Sequence, residues 1–142
     1  MNIESIKEWF ARAVPTPTDK NRMVQLGVHF EEVGEMFDAL GSFVAYEATV
    51  MEDIAEDLKS CHIWGGKFEV DRQELLDALC DQIVTAVGVA HMYGMDIAGA
   101  LAEVDRSNWS KFKPDGTPVF DANGKIAKNP DTYFRPDLSR FA

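Results

Sequence analysis

The stretch His29-Phe-Glu-Glu-Val-Gly-Glu-Met-Phe-Asp-Ala-Leu40 decides the fold class, because at ~100° per residue it divides into two faces. Glu31, Glu32, Glu35 and Asp38 fall within about a third of the helix circumference, while Leu26, Phe30, Val33, Met36, Phe37 and Leu40 take the opposite side. The pattern predicts an amphipathic helix with one acidic face and one core face, and the plain reading of the acidic face is that water covers it. Two details point further. Gly27 and Gly34 lie seven residues apart on the carboxylate side, and a mid-helix glycine costs ~1 kcal/mol relative to alanine with no return on a solvated face. Something is therefore expected to come close to the backbone there. In addition, two like charges at ~4 Å repel by roughly 4 kcal/mol at an effective dielectric near 20, so clustered carboxylates without basic partners at i+4 call for a cation. All-oxygen ligation of that kind suits Mg²⁺ or Mn²⁺.

The chain has 142 residues, 46% of them hydrophobic and 27% charged, enough to bury one core. One domain with an attached tail is expected. No continuous apolar run approaches the ~18 residues of a membrane span, and MNIESIKEWF carries acids where a signal peptide is basic and apolar. A cytoplasmic protein without a membrane partner is the expectation. Fourteen Lys+Arg against twenty-four Asp+Glu give a formal charge of −10, which argues against binding a nucleic-acid duplex through its phosphates. Cys61 and Cys80 form neither a CxxC nor a disulfide framework and are expected to be reduced, buried thiols.

Ile3, Ile6 and Phe10, with Trp9 beside them, predict a short first helix that stops at Val14, where Pro15-Thr-Pro17 forbids continuation. Asp19 is placed to cap the second helix, which runs to about Leu40 and ends at Gly41. Residues 43–62 predict a third helix, with Glu47, Glu52, Asp53, Glu56 and Asp57 on what reads as a solvated face. A turn follows at Ile63-Trp-Gly-Gly66. The fourth helix, capped by Asp71 and closed by Gly94, sets Leu75, Leu76, Leu79, Ile83, Ala86, Val87 and Ala90 against a second stripe of Glu74, Asp77, Asp81, Thr85 and Gly88. Two helices with the same acid-plus-glycine stripe suggest a shared site. Asp96 caps a fifth helix, after which Pro114-Asp-Gly116, Val119-Phe120 and Asp121 to Ile126 predict a short hairpin followed by an extended tail. The histidines lack metal-binding spacing and the serines lack a nucleophile-elbow context.

Glu31-Glu32-x-x-Glu35, followed by Glu74-Leu-Leu-Asp77-Ala-Leu-Cys-Asp81, Gly94-Met-Asp96, Glu103-Val-Asp-Arg106-Ser-Asn108-Trp-Ser-Lys111, Asp115-Gly116 and Gly124-Lys125, resembles the all-α nucleoside triphosphate pyrophosphohydrolases, the MazG-like and phosphoribosyl-ATP pyrophosphohydrolase-like group. The similarity covers roughly residues 25–138 and is closest to the compact versions common in bacteriophages. It implies one MazG-like domain over 1–142, with an N-terminal helix (1–14), catalytic helices (19–111) and a tail (112–142). The fold implied is an all-α bundle of about five helices, assembled as a homo-oligomeric dimer or tetramer. The reaction implied converts a nucleoside triphosphate to the monophosphate and pyrophosphate with Mg²⁺ or Mn²⁺. Carried over residue by residue, Glu32, Glu35 and Asp81 resemble metal ligands and Glu31 the residue that orients or deprotonates the attacking water. Arg106, Asn108, Lys111 and Lys125 would meet phosphates or sugar. The family usually has glutamate three residues before the last aspartate, where this chain has Ala78, so Asp77 or Glu74 is expected to take that role.

Trp9 and Trp64 are candidates to stack on the base, since base–aromatic stacking is worth ~1–3 kcal/mol. Two other readings compete with a (d)NTP pyrophosphohydrolase that controls a nucleotide pool. One is the same chemistry on a phosphoribosyl or non-standard nucleotide. The other is a non-catalytic helical module whose acidic stripes bind a basic partner or divalent cations.

Overall fold

The protein is described by a computed structural model over residues 3–61, 69–122 and 124–142. It is all-helical: α1 (Ile3–Ala13), α2 (Asp19–Leu40), α3 (Ala45–Ser60), α4 (Arg72–Met92) and α5 (Ile97–Trp109). A single 3₁₀ turn at Ser42–Val44 leads into α3. The predicted elements match these, with local differences at their ends. Thr18, one residue before the expected cap, starts α2: its hydroxyl accepts from the Asn21 N–H while the Asn21 side chain accepts from the Thr18 N–H. That reciprocal box satisfies two donors that Asp19, already inside the first turn, cannot reach. Asp71 and Asp96 cap α4 and α5 as their sequence positions predict, accepting from Gln73 and Glu74 and from Gly99.

Where one domain with a tail is expected, the chain gathers into two compact units, Met1–Ala13 with Phe68–Val119 and Ile126–Ala142, and Val14–Lys67 with Phe120–Lys125.

In the second unit α2 and α3 pair antiparallel and make the most extensive helix–helix contact of the described chain. The two-face reading of α2 needs correcting here. Its buried residues are Val24, Gly27 and Gly34, whereas Met36 is exposed and Leu26, Phe30, Val33, Phe37 and Leu40 are half-buried. The glycine line is the true interface, because α3 meets it with its own small residues, Ala48 and Ala55, again seven apart. A Cβ on Gly27 would stand 2.7 Å from the Ala55 carbonyl oxygen and 2.6 Å from Lys59 Cγ; one on Gly34 would be 3.4 Å from Met51 Cβ. The close approach anticipated from the glycines is thus made by the backbone of α3.

In the first unit, α1 and the C-terminal tail dress α5. Trp9 is buried, stacks on Phe112 at 5.4 Å and donates its indole N–H to the Asn108 carbonyl at 2.8 Å. Ser5 reaches the buried Asp105 at 2.7 Å. The tail follows α5 through side-chain-to-backbone bonds, Ser107 Oγ to the Phe134 carbonyl and the Asp137 N–H to Glu103. Lys113 N–H to Thr117 O, and Ala127 N–H to Val119 O at 2.7 Å, form the hairpin-like turn expected after α5, with no strand among the described residues.

Helix α4 departs most from expectation. Of its residues only Ala90 is buried, and Leu76 (64%), Val84 (67%) and Met92 (83%) stand open on several sides. Gly88, unlike Gly27, faces open space. Cys80 is exposed rather than buried, and it and Cys61 are free thiols. By length and composition Arg72–Met92 is apolar enough to cross a membrane, which amends the reading of the sequence as having no such segment: Asp77 and Asp81 interrupt the run without lowering the average enough.

Gly27→Ala should lower the urea midpoint, costing about 1–3 kcal/mol, because a backbone carbonyl cannot move aside without parting the helices. Gly88→Ala should raise it by roughly 0.5–1 kcal/mol through helix propensity alone. Equal effects at the two positions would refute the close-approach account.

Candidate functional site

The small-residue seam dictates where the charges go. With α2 and α3 brought together through Gly27, Gly34, Ala48 and Ala55, the long side chains beside the seam splay outward, and they are acidic. Glu31 and Glu35 from α2 and Glu52, Asp53 and Glu56 from α3 line one concavity of about 360 Å³, with Lys59 at one end. Three of these carboxylates, Glu52, Asp53 and Glu56, belong to the face that the sequence predicts as solvated, and all three are exposed. The signal that could have found them is the matched seven-residue spacing of Gly27/Gly34 and Ala48/Ala55, which sets the faces of both helices.

Glu31 is the most constrained of the set. Lys59 Nζ lies 3.3 Å from one of its oxygens and Lys125 Nζ, from the 120–125 turn, 3.2 Å from the other. The turn fixes Lys125 locally: its N–H donates to the Asp121 carboxylate and its carbonyl accepts from the Asp121 N–H, both at 2.9 Å, with Gly124 at φ 80°. Lys59 gets close because Gly27 has no Cβ where the lysine stem lies. Partial burial by itself would raise the Glu31 pKa; the hydrogen bonds and positive charges of Lys125 and Lys59 outweigh it and hold the carboxyl below the ordinary glutamate value.

No family model, curated protein or solved structure matches the chain.

The other expected site residues are distributed as follows. Glu32 is exposed and does not line the concavity. Glu74, Asp77 and Asp81 are exposed on α4, in the first unit. Arg106, Asn108 and Lys111 are engaged within that unit: the Arg106 guanidinium binds buried Glu103 at 2.8 Å and lies 4.3 Å over the Phe134 ring, while Lys111 donates to the Asn108 side chain at 2.7 Å. The hydrogen bond from Arg106, then that from the Asp137 N–H, keeps Glu103 below its ordinary pKa. Trp9, expected to stack on a base, is a core residue, closed by Phe112 and Phe10 with Lys111 5.9 Å over its ring. Trp64 lies outside the described residues.

Whether the concavity suits a divalent ion can be judged from its donors. All are carboxylates, the hard oxygen donors that Mg²⁺ and Mn²⁺ prefer. The chemistry fits. Among the described residues no three carboxylate, imidazole or thiol side chains already converge on one point, so an ion would have to gather them by side-chain rotation, which exposed glutamates on two packed helices permit.

Linkage gives a test of the lysine contacts. Because the folded pKa of Glu31 is lowered, its contribution to stability is present above the unfolded value of ~4.3 and is lost as pH falls through the folded value. The gap in urea midpoint between wild type and Glu31→Gln should therefore shrink as pH falls below about 4.3 and through the folded value. A gap that stays constant over this range would mean the ion pairs give no net stabilisation.

Proposed function

We propose that this protein is a metal-dependent nucleoside triphosphate pyrophosphohydrolase of the all-α, MazG-like kind, releasing a nucleoside monophosphate and pyrophosphate in the cytoplasm. The observation that carries the reading is the placement of Glu31 and Glu35 on the wall of a carboxylate-lined concavity held open by two tightly packed helices. The resemblance of the Glu31-Glu32-x-x-Glu35 element and of the Arg106 to Lys111 stretch supports it. Mg²⁺ or Mn²⁺, when bound, supplies charge neutralisation on the phosphates and a lowered pKa for the attacking water.

The roles of the chain's own groups follow from their chemistry. Glu35, with Glu52, Asp53 and Glu56 at hand, holds the ion. Glu31, kept ionised by its lysines, orients the water and accepts its proton. By the resemblance alone, Glu32 and, on α4, Asp81 with Asp77 or Glu74 in place of the family glutamate are further candidate ligands. Lys125 meets the phosphates. Trp9 drops out as a base-stacking residue, because a buried indole that already stacks on Phe112 has no face to offer.

The active form is a homo-oligomer, dimer or tetramer. A broad apolar helix face is normally covered, and exposed apolar surface as extensive as that of α4 is rare on monomers. Leu76→Glu should shift the light-scattering mass at micromolar concentration towards the monomer; a monomeric mass for the wild type would remove this part of the reading.

Activity is tested by incubating the protein with each common ribo- and deoxyribonucleoside triphosphate plus Mn²⁺ and identifying the products. Monophosphate and pyrophosphate are expected. Diphosphate and orthophosphate would point to another reaction, and cation binding without turnover to an acidic binding module. Asp77→Asn should cost at least about tenfold in kcat, on the order of one lost charge-assisted ligand contact. Full activity in Asp77→Asn with loss in Glu74→Gln would hand the role to Glu74.

A further inference from the structure

Glu31 holds two ammonium groups at once, one on each oxygen, from lysines 66 residues apart in sequence. Neither lysine is there by accident of a flexible surface. The Lys59 stem runs over the space that Gly27 leaves empty, and only about a quarter of its side chain is exposed. Lys125 leaves a turn closed by two hydrogen bonds between its own backbone and Asp121.

This arrangement is more than charge balance requires. One carboxylate is met by two cations, although Glu56, whose carboxylate lies 3.8 Å from Lys59 Nζ, and Glu52 and Asp53 on the same wall are also available to attract them. The two Nζ atoms are thereby gathered around the two oxygens of one carboxylate, at 3.3 and 3.2 Å, and paired ammonium groups of this kind are donors suited to phosphate oxygens. A divalent ion on the same carboxylate wall weakens their hold on Glu31, because an ammonium and a doubly charged ion on neighbouring oxygens repel each other.

Building on the metal-dependent reading above, we propose that Lys59 and Lys125 are the phosphate-binding pair of this site, parked on Glu31 until a cation–polyphosphate complex arrives. Glu31 then gives up both ammonium groups to phosphate oxygens. The exchange conserves charge pairing at every group: the carboxylates face the cation, the lysines face the anion, and Glu31 is freed at the moment its oxygens are needed. Lys59 is the new member, since nothing in its sequence context distinguishes it from a surface lysine at a helix end.

The exchange predicts effects of opposite sign from one substitution, which a merely structural ion pair does not. The probes are Mn²⁺ alone and inorganic pyrophosphate in saturating Mn²⁺, measured by calorimetry on wild type, Lys59→Gln and Lys125→Gln. Loss of a competing ammonium should tighten Mn²⁺ binding by about twofold to fivefold, the scale of a partly exposed ion pair. The same variants should bind pyrophosphate at least about threefold more weakly, having lost a charge-assisted contact. Shifts in the same direction for both probes, or unchanged pyrophosphate affinity, would overturn the parking scheme while leaving the metal site intact. Should Mn²⁺ bind none of the three proteins, the parent reading falls and this one with it. Lys125→Gln, at an exposed turn position, keeps the test usable if Lys59→Gln disturbs the helix pair.

Discussion

The structure depends first on how closely two helix backbones can approach at Gly27. A carbonyl of α3 occupies the space where any other residue would carry a Cβ, so the distance between α2 and α3 is set by the absence of a single atom. Everything distinctive about the second unit follows from that distance. Helices this close leave little room for large side chains between them, and burial falls mostly on small residues, Gly27, Gly34, Ala48 and Ala55, joined by Val24 and Leu58. Residues flanking such a seam are pushed to its margins, where long acidic side chains keep their heads in water while their stems cover the helices. The carboxylate-lined concavity is the margin of a glycine–alanine seam, and Glu31 sits at its most crowded point.

The same constraint explains how much could be read from the sequence. All five helices were legible, because their breaks are local chemistry: proline at 15 and 17, glycine at 41, aspartate caps at 71 and 96. The faces were not equally legible. Hydrophobic periodicity put the core of α2 on Phe30, Val33 and Phe37, since apolar area normally decides which side is buried. Here close backbone packing outweighs area, and the glycines, noted as costly on a solvated face, were the better guide. On α3 the apolar spacing of Val50, Ile54 and Leu58 is right for Leu58, which is buried, but it hides the equally buried Ala48 and Ala55.

In α4 the sequence pattern and the structure disagree for a different reason. The acid-and-glycine stripe of Glu74, Asp77, Asp81 and Gly88 looks like the stripe of α2, yet Gly88 meets open space where Gly27 meets a carbonyl. A glycine in a stripe is therefore not one kind of signal. In α2 it is explained by a partner within the chain. In α4 nothing lies within 4 Å of where a Cβ on Gly88 would stand, and the helix carries a broad exposed apolar surface beside its acidic stripe. Propensity and the Asp71 cap start this helix, and of its own residues only Ala90 is buried.

Electrostatics separates the two units further. In the first, charges are committed to structure: Glu103 is buried against Arg106, whose guanidinium is flattened on Phe134, and the tail N–H of Asp137 completes the arrangement. Such a group has no spare capacity, since breaking it strands a buried carboxylate. In the second unit the charges are mostly exposed and in excess on one sign, five carboxylates against one lysine around the concavity, with a second lysine reaching Glu31 from the 120–125 turn. Exposed ion pairs contribute little to stability, so their arrangement is free to be shaped by something other than folding. A cluster that folding does not need, held on a frame that folding fixes to within a Cβ, keeps its charged groups both ordered and exchangeable.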